Sequence, residues 1–366
     1  MRIPLLPALL AVLACVGALP PACGATPIVV GQAIDLSGPN GSIGRDYVAG
    51  ITTYFDSINV AGGINGRKID YVVSDDHGVP ANAAALVSGL IKDKHADYLL
   101  GGFGSDATEA TLAAPAFAAS RHVLFAPLAD SAGGARARVT YWRPSMDSEF
   151  LFLLVYFQKL GITEVGIALQ ESPQNNKAFQ FLNAEMRKRG MHLAGVAKIA
   201  PASATLQAEA ERLAKAGAKL VITIGDTFGS AQFLRAFRRH DAATFVAGTS
   251  LINLTTLSEI AGARATEFTV FSQVVPNPAG TATALQAEHI KMMKQFRDEP
   301  VSSVTLEGFA VAKTLVRQMR QDGAGKGKPL APFDLGGMQI GVPDGANNLS
   351  RFVDIALFTR GGGLMF

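Results

Sequence analysis

The chain contains almost no cysteine. Its two cysteines, Cys15 and Cys23, both lie within the first 25 residues, which have the pattern of a secretory leader. The rest of the chain therefore has no thiol, and disulfide bonds and cysteine metal sites are excluded for it. Because disulfides cannot indicate the compartment, any expectation of export rests on the leader itself.

Runs of positive charge are also missing. The chain has 33 Lys and Arg residues against 30 Asp and Glu residues, a formal net charge of +3. Without the leader, which carries Arg2 and no acidic residue, the charge is +2. A nearly neutral chain without basic clusters lacks the electrostatic surface that nucleic acid binding requires. We therefore expect no nucleic acid partner.

Common catalytic and metal-binding patterns are absent as well. The six histidines do not occur at the H-x-x-x-H or H-E-x-x-H spacing of zinc sites. The sequence has neither a G-x-S-x-G nucleophile turn nor a G-K-[ST] phosphate loop. We expect a protein that is not an enzyme and that holds neither a metal nor a cofactor.

The first 25 residues resemble a signal peptide in pattern. Arg2 precedes an apolar stretch from Leu5 to Leu19 that is too short to span a bilayer as a mature helix. Prolines and small residues follow, which favours cleavage after Ala25 and export to the periplasm. The alternative is a lipoprotein in which Cys23 is the acylated first residue.

Strand and helix patterns alternate over most of the remaining chain. The apolar spacing predicts strands at 28–34, 69–74, 97–100, 123–126, 164–169, 192–199, 220–224, 244–247, 268–275, 333–342 and 351–359. It predicts helices at 44–59, 80–92, 106–120, 150–160, 177–189, 205–216, 229–239, 283–295 and 304–320. Strands joined by helices indicate an α/β fold with parallel sheets covered on both faces. Roughly 340 residues exceed one core, so two domains are expected.

Two short segments resemble a known family. Leu36-Ser37-Gly38-Pro39 follows the first predicted strand. The segment from Asn59 to Gly66 combines a glycine helix stop, Gly62-Gly63, with an Asn65-Gly66 turn. Both resemble the type I periplasmic binding proteins, in the branch whose members bind leucine, isoleucine and valine for ABC transporters.

The resemblance implies two interleaved, doubly wound lobes of parallel sheet, with helices on both faces and a ligand cleft between them. The first lobe is expected to comprise residues 26–146 and 276–330, and the second residues 147–275 and 331–366. A monomer of this kind closes over a small ligand by a hinge motion and presents it to the membrane permease of an ABC importer. The alternative is a ligand-sensing or regulatory module of the same fold.

On the first lobe, the resemblance assigns ligand contacts to three loops. Ser105 and Thr108, in an S-x-x-T pattern with Asp106 between them, would hold a carboxylate at a helix N-terminus. Leu128 and Asp130 belong to the second loop, and Ile43 to the loop after the first strand. Helix capping by Ser105 and turn capping by Asp130 are the structural alternatives.

On the second lobe, the corresponding positions depart from the family. Gln174, Asp226 and Ser250 stand near the places where family members carry tyrosines and an acidic residue that binds the ligand ammonium. Ser250 takes the place of that acidic residue, and Asp226 or Asp130 is expected to replace it. The ligand is therefore left as an amino acid, an amide or a small organic acid.

One glycine pattern favours a different function. Gly102-Phe103-Gly104-Ser105-Asp106-Ala107 fits G-x-G-x-x-A, and Asp130 follows 28 residues after Gly102, as a ribose-binding acid would in a dinucleotide fold. The pattern follows the third predicted strand, whereas the dinucleotide fingerprint usually follows the first. An NAD-dependent oxidoreductase is therefore the less favoured alternative.

Overall fold

The first sheet lies in the N-terminal part of the chain. The computed structural model describes residues 25–131, 138–200, 204–322, 330–341 and 348–366; the expected leader to residue 24, with Cys23, lies outside them. Five strands pair in parallel in the order β2-β1-β3-β4-β5. They are β1 (Ile28–Ile34), β2 (Ile69–Asp75), β3 (Tyr98–Leu100), β4 (Leu124–Phe125) and β5 (Val139–Thr140).

Four helices follow the strands of this sheet in sequence. They are α1 (Gly41–Val60), α2 (Pro80–Lys92), α3 (Ser105–Ala113) and α4 (Pro115–Ala119). The predicted helix 106–120 is divided, because Ala114 is extended (φ −61°, ψ 129°) before Pro115. Proline disfavours the helical conformation of the residue before it and cannot donate the next backbone hydrogen bond.

The second sheet begins after α5 (Met146–Lys159). Five parallel strands build its centre: β6 (Glu164–Leu169), β7 (His192–Lys198), β8 (Leu220–Ile224), β9 (Phe245–Gly248) and β10 (Thr269–Gln273). The helices between them are α6 (Pro173–Lys188), α7 (Leu206–Ala214), α8 (Thr227–Phe237), α9 (Leu254–Ala261) and α10 (Ala263–Thr266). Separate apolar clusters cover its two faces, one with α5 and α6 and the other with α7, α8 and α9.

The C-terminal part of the chain contributes to both sheets. α11 (Ala284–Phe296) and α12 (Ser303–Asp322) share the apolar core of the first sheet with α1. A hairpin, β11 (Phe333–Asp334) and β12 (Gln339–Ile340), adds side chains to the same core. β13 (Asp354–Phe358) and β14 (Leu364–Met365) then join the second sheet in antiparallel pairing beside β10. The α/β class with two helix-covered, mainly parallel sheets is confirmed.

The tail differs from the sequence prediction at the hairpin. One strand was expected over 333–342, of which Val342 lies outside the described residues. Instead the chain reverses at Gly336 and Gly337, which have φ values of 111° and 101°, and whose amides donate to the Asp334 carboxylate. Only glycine adopts such angles without a Cβ penalty. Since Ile340 still packs in the first core, we propose that the last crossing between lobes follows it, later than the expected boundary at 331.

Two of the segments that pass between the sheets lie side by side. The Leu349 amide donates to the Tyr141 carbonyl and the Ser350 amide to the Trp142 carbonyl, both at 2.8 Å. The Asn348 side chain donates to the Arg143 carbonyl at 2.6 Å. The first of these segments leads from β5 to α5, and the other leads into β13 of the second sheet.

Helices α1 and α12 make backbone contact through two glycines. A Cβ at Gly50 would lie 2.0 Å from the Thr305 carbonyl oxygen, and one at Gly308 would lie 2.2 Å from the Tyr47 carbonyl oxygen. Only a hydrogen fits at either position. The packing of α12 on α1 therefore depends on glycine at 50 and 308.

We expect Gly50→Ala to lower the free energy of unfolding by roughly 1–3 kcal/mol, because the helices must separate or distort. Gly89→Ala in α2 is the matched control, since the nearest atom to its Cβ is a flexible Asp93 side-chain oxygen at 3.6 Å. That change should raise stability by up to about 1 kcal/mol through helix propensity. Urea unfolding measures the free energy of unfolding of both variants. Equal changes in the two variants would contradict the close backbone contact between α1 and α12 at Gly50.

His289 is a buried histidine between α11 and α12. Its side chain is fully buried, its Nε2 lies 3.1 Å from the Thr305 hydroxyl, and its Nδ1 has no hydrogen-bond partner within the part of the chain that the structure describes. Burial lowers the pKa of His289 to about 4. The folded protein therefore keeps this ring neutral under conditions in which the unfolded chain already protonates it.

Stability should fall as the pH drops from about 6.5 toward 4, because the unfolded state takes up the His289 proton first. Between about pH 7.5 and about pH 5 the wild type should lose on the order of 2 kcal/mol more than His289→Gln does. Urea unfolding at both pH values measures the difference. His192→Gln, which changes an exposed ring, should keep the wild-type pH dependence; an identical dependence in His289→Gln would contradict the assignment.

Candidate ligand site between the two sheets

The carboxyl ends of the two sheets face each other. Asp106 lies in the first turn of α3, directly after β3, and Gln174 lies in the first turn of α6, directly after β6. The Gln174 side-chain amide donates a hydrogen bond to the Asp106 carboxylate. Ligands of open α/β sheets bind beyond the carboxyl ends of the strands. The space bounded by these two helix starts is therefore the candidate site.

A second polar contact joins the lobes at α1. The Asp46 carboxylate accepts from the Asn253 amide of the second lobe at 3.3 Å and from the Ser302 hydroxyl at 2.9 Å. Burial raises the pKa of Asp46, and the two hydrogen bonds oppose that effect. Polar contacts at Asp106 and at Asp46 thus bridge the lobes at places well apart along the chain.

The loop after β3 and the loop after β4 are joined by backbone hydrogen bonds. The Leu128 amide donates to the Gly102 carbonyl at 2.9 Å, and the Gly104 amide donates to the Leu128 carbonyl at 3.0 Å. A Cβ at Gly101 would lie 2.5 Å from the Cα of Pro127. The loop after β3 therefore cannot move without the loop after β4.

Ser105 presents an unused hydroxyl at the start of α3. The N-cap residue is Gly104, with φ 92°, and it provides no side-chain cap. Among the described residues, the Ser105 hydroxyl has no hydrogen-bond partner, so it does not act as the capping group. Thr108 is buried, and its hydroxyl donates to the Gly104 carbonyl at 2.9 Å. Of the two hydroxyls, Ser105 alone remains available beside the positive end of the helix.

The carboxylates expected to meet a ligand ammonium accept hydrogen bonds from the protein. Asp226 caps α8, accepting from the Gly229 amide at 2.6 Å and from the Gln170 side chain at 2.7 Å. Asp130 accepts from the Met146 amide at the start of α5, at 3.1 Å. Both carboxylates therefore stabilise helix N-termini.

Ile43 and Leu128 lie in the apolar core. Their side chains are 2% and 1% exposed and belong to the cluster around α1 and α12. The main chain of Leu128 joins the loops after β3 and β4, while its side chain anchors the second of these loops in the core.

Ser250 belongs to a buried charged cluster at the junction of the lobes. Its hydroxyl accepts from Arg143 Nη2 at 2.6 Å, and the Arg143 Nε lies 3.2 Å from the Glu307 carboxylate on α12. The Ser250 amide donates to Glu149 at 2.8 Å, and the Ser272 hydroxyl donates to the same oxygen at 2.6 Å. One guanidinium and two carboxylates thus connect α5, α12 and the loop after β9.

The charges of this cluster are out of contact with solvent. Arg143, Glu149 and Glu307 are 3%, 1% and 4% exposed. Burial raises the pKa of Glu307, and Glu149 adds to that effect, while Arg143 opposes it. Sequence reasoning missed all three residues. The available signal was a single glutamate in the apolar first half of α12, because a charge there needs a buried partner.

Three further carboxylates converge at the ends of β1 and β2. Oxygens of Asp35, Asp75 and Asp76 lie within 4.8 Å of one another. Each accepts backbone amides from the surrounding turns: Gly38 and Asn40 for Asp35, Leu36 and His77 for Asp75, and Gly78 for Asp76. We assign these side chains to the turns rather than to a metal ion.

A small cavity lies between the lobes beside α12. It measures about 60 Å³ and is bordered by Ser250, Gln273 and Ser302. Ligand pockets usually exceed about 300 Å³, so this space holds water at most.

The chain matches a family model over most of its length. The model is described as periplasmic binding protein and matches residues 27–331. The chain belongs to the type I periplasmic binding protein family. An amino acid binding protein of Pseudomonas aeruginosa is 38% identical over 81 residues, which make up 22% of each chain.

Solved structures share the fold over nearly the whole chain. A substrate-binding periplasmic protein from Ralstonia solanacearum superposes with a TM-score of 0.84 at 23% identity, covering 92% of this chain and 99% of that one. The branched-chain amino acid transporter substrate binding protein LivJ from Streptococcus pneumoniae, in complex with isoleucine, has a TM-score of 0.78 at 16% identity, covering 93% and 98%. At these identities the likeness concerns the fold.

We expect Glu307→Gln to lower the free energy of unfolding by roughly 3–5 kcal/mol, because it leaves the Arg143 charge buried without its counter-ion. Glu288→Gln is the matched control. Glu288 lies on α11 and pairs with Lys313 of α12, the helix that also carries Glu307, in a partly exposed position. That change should cost less than about 1 kcal/mol. Urea unfolding measures the free energy of unfolding of both variants. Similar losses in the two variants would contradict a larger stabilising contribution from the buried pair of Arg143 and Glu307.

Proposed function

We propose that this protein binds a small polar ligand, which is an amino acid, an amide or a small organic acid, between its lobes and delivers it to an ABC importer. The observation that carries the proposal is the Ser105 hydroxyl at the start of α3, which has no partner among the described residues and lies opposite the α6 helix of the other lobe. Amides at a helix N-terminus bind carboxylates well.

Contacts from both lobes support closure over the ligand. Asp106 and Gln174 meet across the entrance, so a ligand that adds bonds to both loops favours the closed arrangement. The buried cluster around Arg143 lies at the junction, where a hinge would be. Closure by this route gives a permease a distinct surface to recognise.

Membership of the family supports two further parts of the proposal, export of the protein and a membrane permease as its partner. The family comprises substrate-binding proteins of ABC transporters, which favours a periplasmic location and a membrane permease as partner. Within the described residues, none of the helices combines the length and apolar character of a membrane span. We propose that the protein acts as a monomer.

A thermal-shift panel of amino acids, including isoleucine, with amides, organic acids and NAD tests the proposal on residues 26–366. A ligand at about one hundred times its dissociation constant adds roughly 2.7 kcal/mol of stability. A shift with a carboxylate-bearing compound supports the proposal. A shift with NAD alone would make the loop from Gly102 to Ala107 a dinucleotide site and overturn it.

Ser105→Ala should weaken binding of the compound found in this panel about tenfold or more, because a hydrogen bond to a charged group is lost. The melting temperature of the free protein should not fall, because the hydroxyl has no partner among the described residues. Ser57→Ala is the matched control: its hydroxyl donates to the Tyr54 carbonyl within α1 at 2.7 Å. Titration calorimetry measures both variants, and wild-type affinity in Ser105→Ala would contradict the site.

A further inference from the structure

Ala126 has an unfavourable backbone conformation inside the candidate site. It follows β4 and has a φ of 52°, in the left-handed region that residues with a Cβ avoid. Pro127 comes next, and a residue before proline is driven toward extended angles. Such strain persists only where surrounding contacts enforce it, and it is common at functional sites.

Tyr47 supplies the contact that holds Ala126. Its side chain on α1 is fully buried, and its hydroxyl donates to the Ala126 carbonyl at 3.0 Å. The Ala126 amide donates to the Thr140 carbonyl at 2.7 Å. Burial raises the pKa of Tyr47 well above its usual value, so the hydroxyl keeps its proton and remains a donor.

The conformation of Ala126 determines where Ser105 lies. Pro127 packs against Gly101, so closely that a Cβ there would not fit. The amides of Leu128 and Gly104 then join the two loops in a short ladder that ends one residue before Ser105. A different angle at Ala126 would displace Pro127, and the displacement would reach the start of α3.

A second buried contact acts on the same loop. The side chain of Gln32 in β1 is fully buried and donates to the Gly101 carbonyl at 2.6 Å, while the Tyr71 hydroxyl donates to its amide oxygen. Gln32 therefore fixes the beginning of the loop after β3. Tyr47 fixes the loop after β4 that packs on it.

We infer that Tyr47 is a positioning residue for the carboxylate site, because it holds Ala126 in the left-handed conformation that places the Gly102–Ser105 loop. The part of this inference that concerns ligand binding rests on the proposed function. The part that concerns the position of the loops does not. Tyr47 itself does not touch the ligand. It acts through Ala126, Pro127 and Leu128.

Hydrogen exchange of Tyr47→Phe tests the inference without any ligand. The amides of Gly104 and Leu128 should exchange at least about tenfold faster than in the wild type, because the loops open more often. Tyr54→Phe is the matched control: Tyr54 is 6% exposed on the same helix, and within the described residues its hydroxyl has no partner. That variant should keep wild-type rates at both amides.

Ala126→Gly separates positioning from a general loss of stability. Glycine adopts positive φ without a Cβ penalty, so adding this change to Tyr47→Phe should restore slow exchange at Gly104 and Leu128. Equal rates in Tyr47→Phe and Tyr54→Phe would overturn the inference. So would faster exchange spread evenly into the second sheet, or a double variant with no recovery.

Affinity is the second readout. Tyr47→Phe should weaken the compound found in the panel at least about fivefold, and the added Ala126→Gly should recover most of the loss. Wild-type affinity in Tyr47→Phe would overturn the positioning role. A panel without any binder would count against the proposed function, while the exchange comparison would still decide the role of Tyr47.

Discussion

The buried ion pair between Arg143 and Glu307 is the constraint on which the two-lobed structure depends. Arg143 lies on a segment that passes between the sheets, Glu307 lies on α12 of the first core, and Ser250 follows β9 of the second. An ion pair without solvent tolerates little change in geometry, because either charge alone is costly to bury. Motion of the lobes is therefore expected around this cluster rather than through it.

The candidate site follows from the same arrangement. Parallel strands end at one edge of each sheet, and the contact between Asp106 and Gln174 shows that these edges oppose each other. Most polar groups there already serve the protein, as caps at Asp130 and Asp226 or in the buried cluster. Among the described residues the Ser105 hydroxyl has no partner, so it and the first amides of α3 remain for a ligand. This distribution explains why we place the carboxylate on the first lobe.

Sequence patterns predicted the regular elements better than the contacts between them. β1, α2, β6 and β8 have the predicted bounds, because apolar spacing and glycine or proline boundaries are local signals. The two-residue β5 was missed, since periodicity needs a longer run. The family resemblance, rather than a local pattern, predicted Asp106 and Gln174 as residues of the site. The pairing of Arg143 with Glu307 spans 164 positions and leaves no local pattern.

A crystal structure grown with the compound that gives the largest thermal shift tests the central claim most directly. We expect its carboxylate within about 3 Å of the Ser105 hydroxyl and of the first amides of α3, with the second lobe closed on its other side. A compound bound elsewhere, with Ser105 still unpartnered, would contradict the account of the site while leaving the fold unchanged.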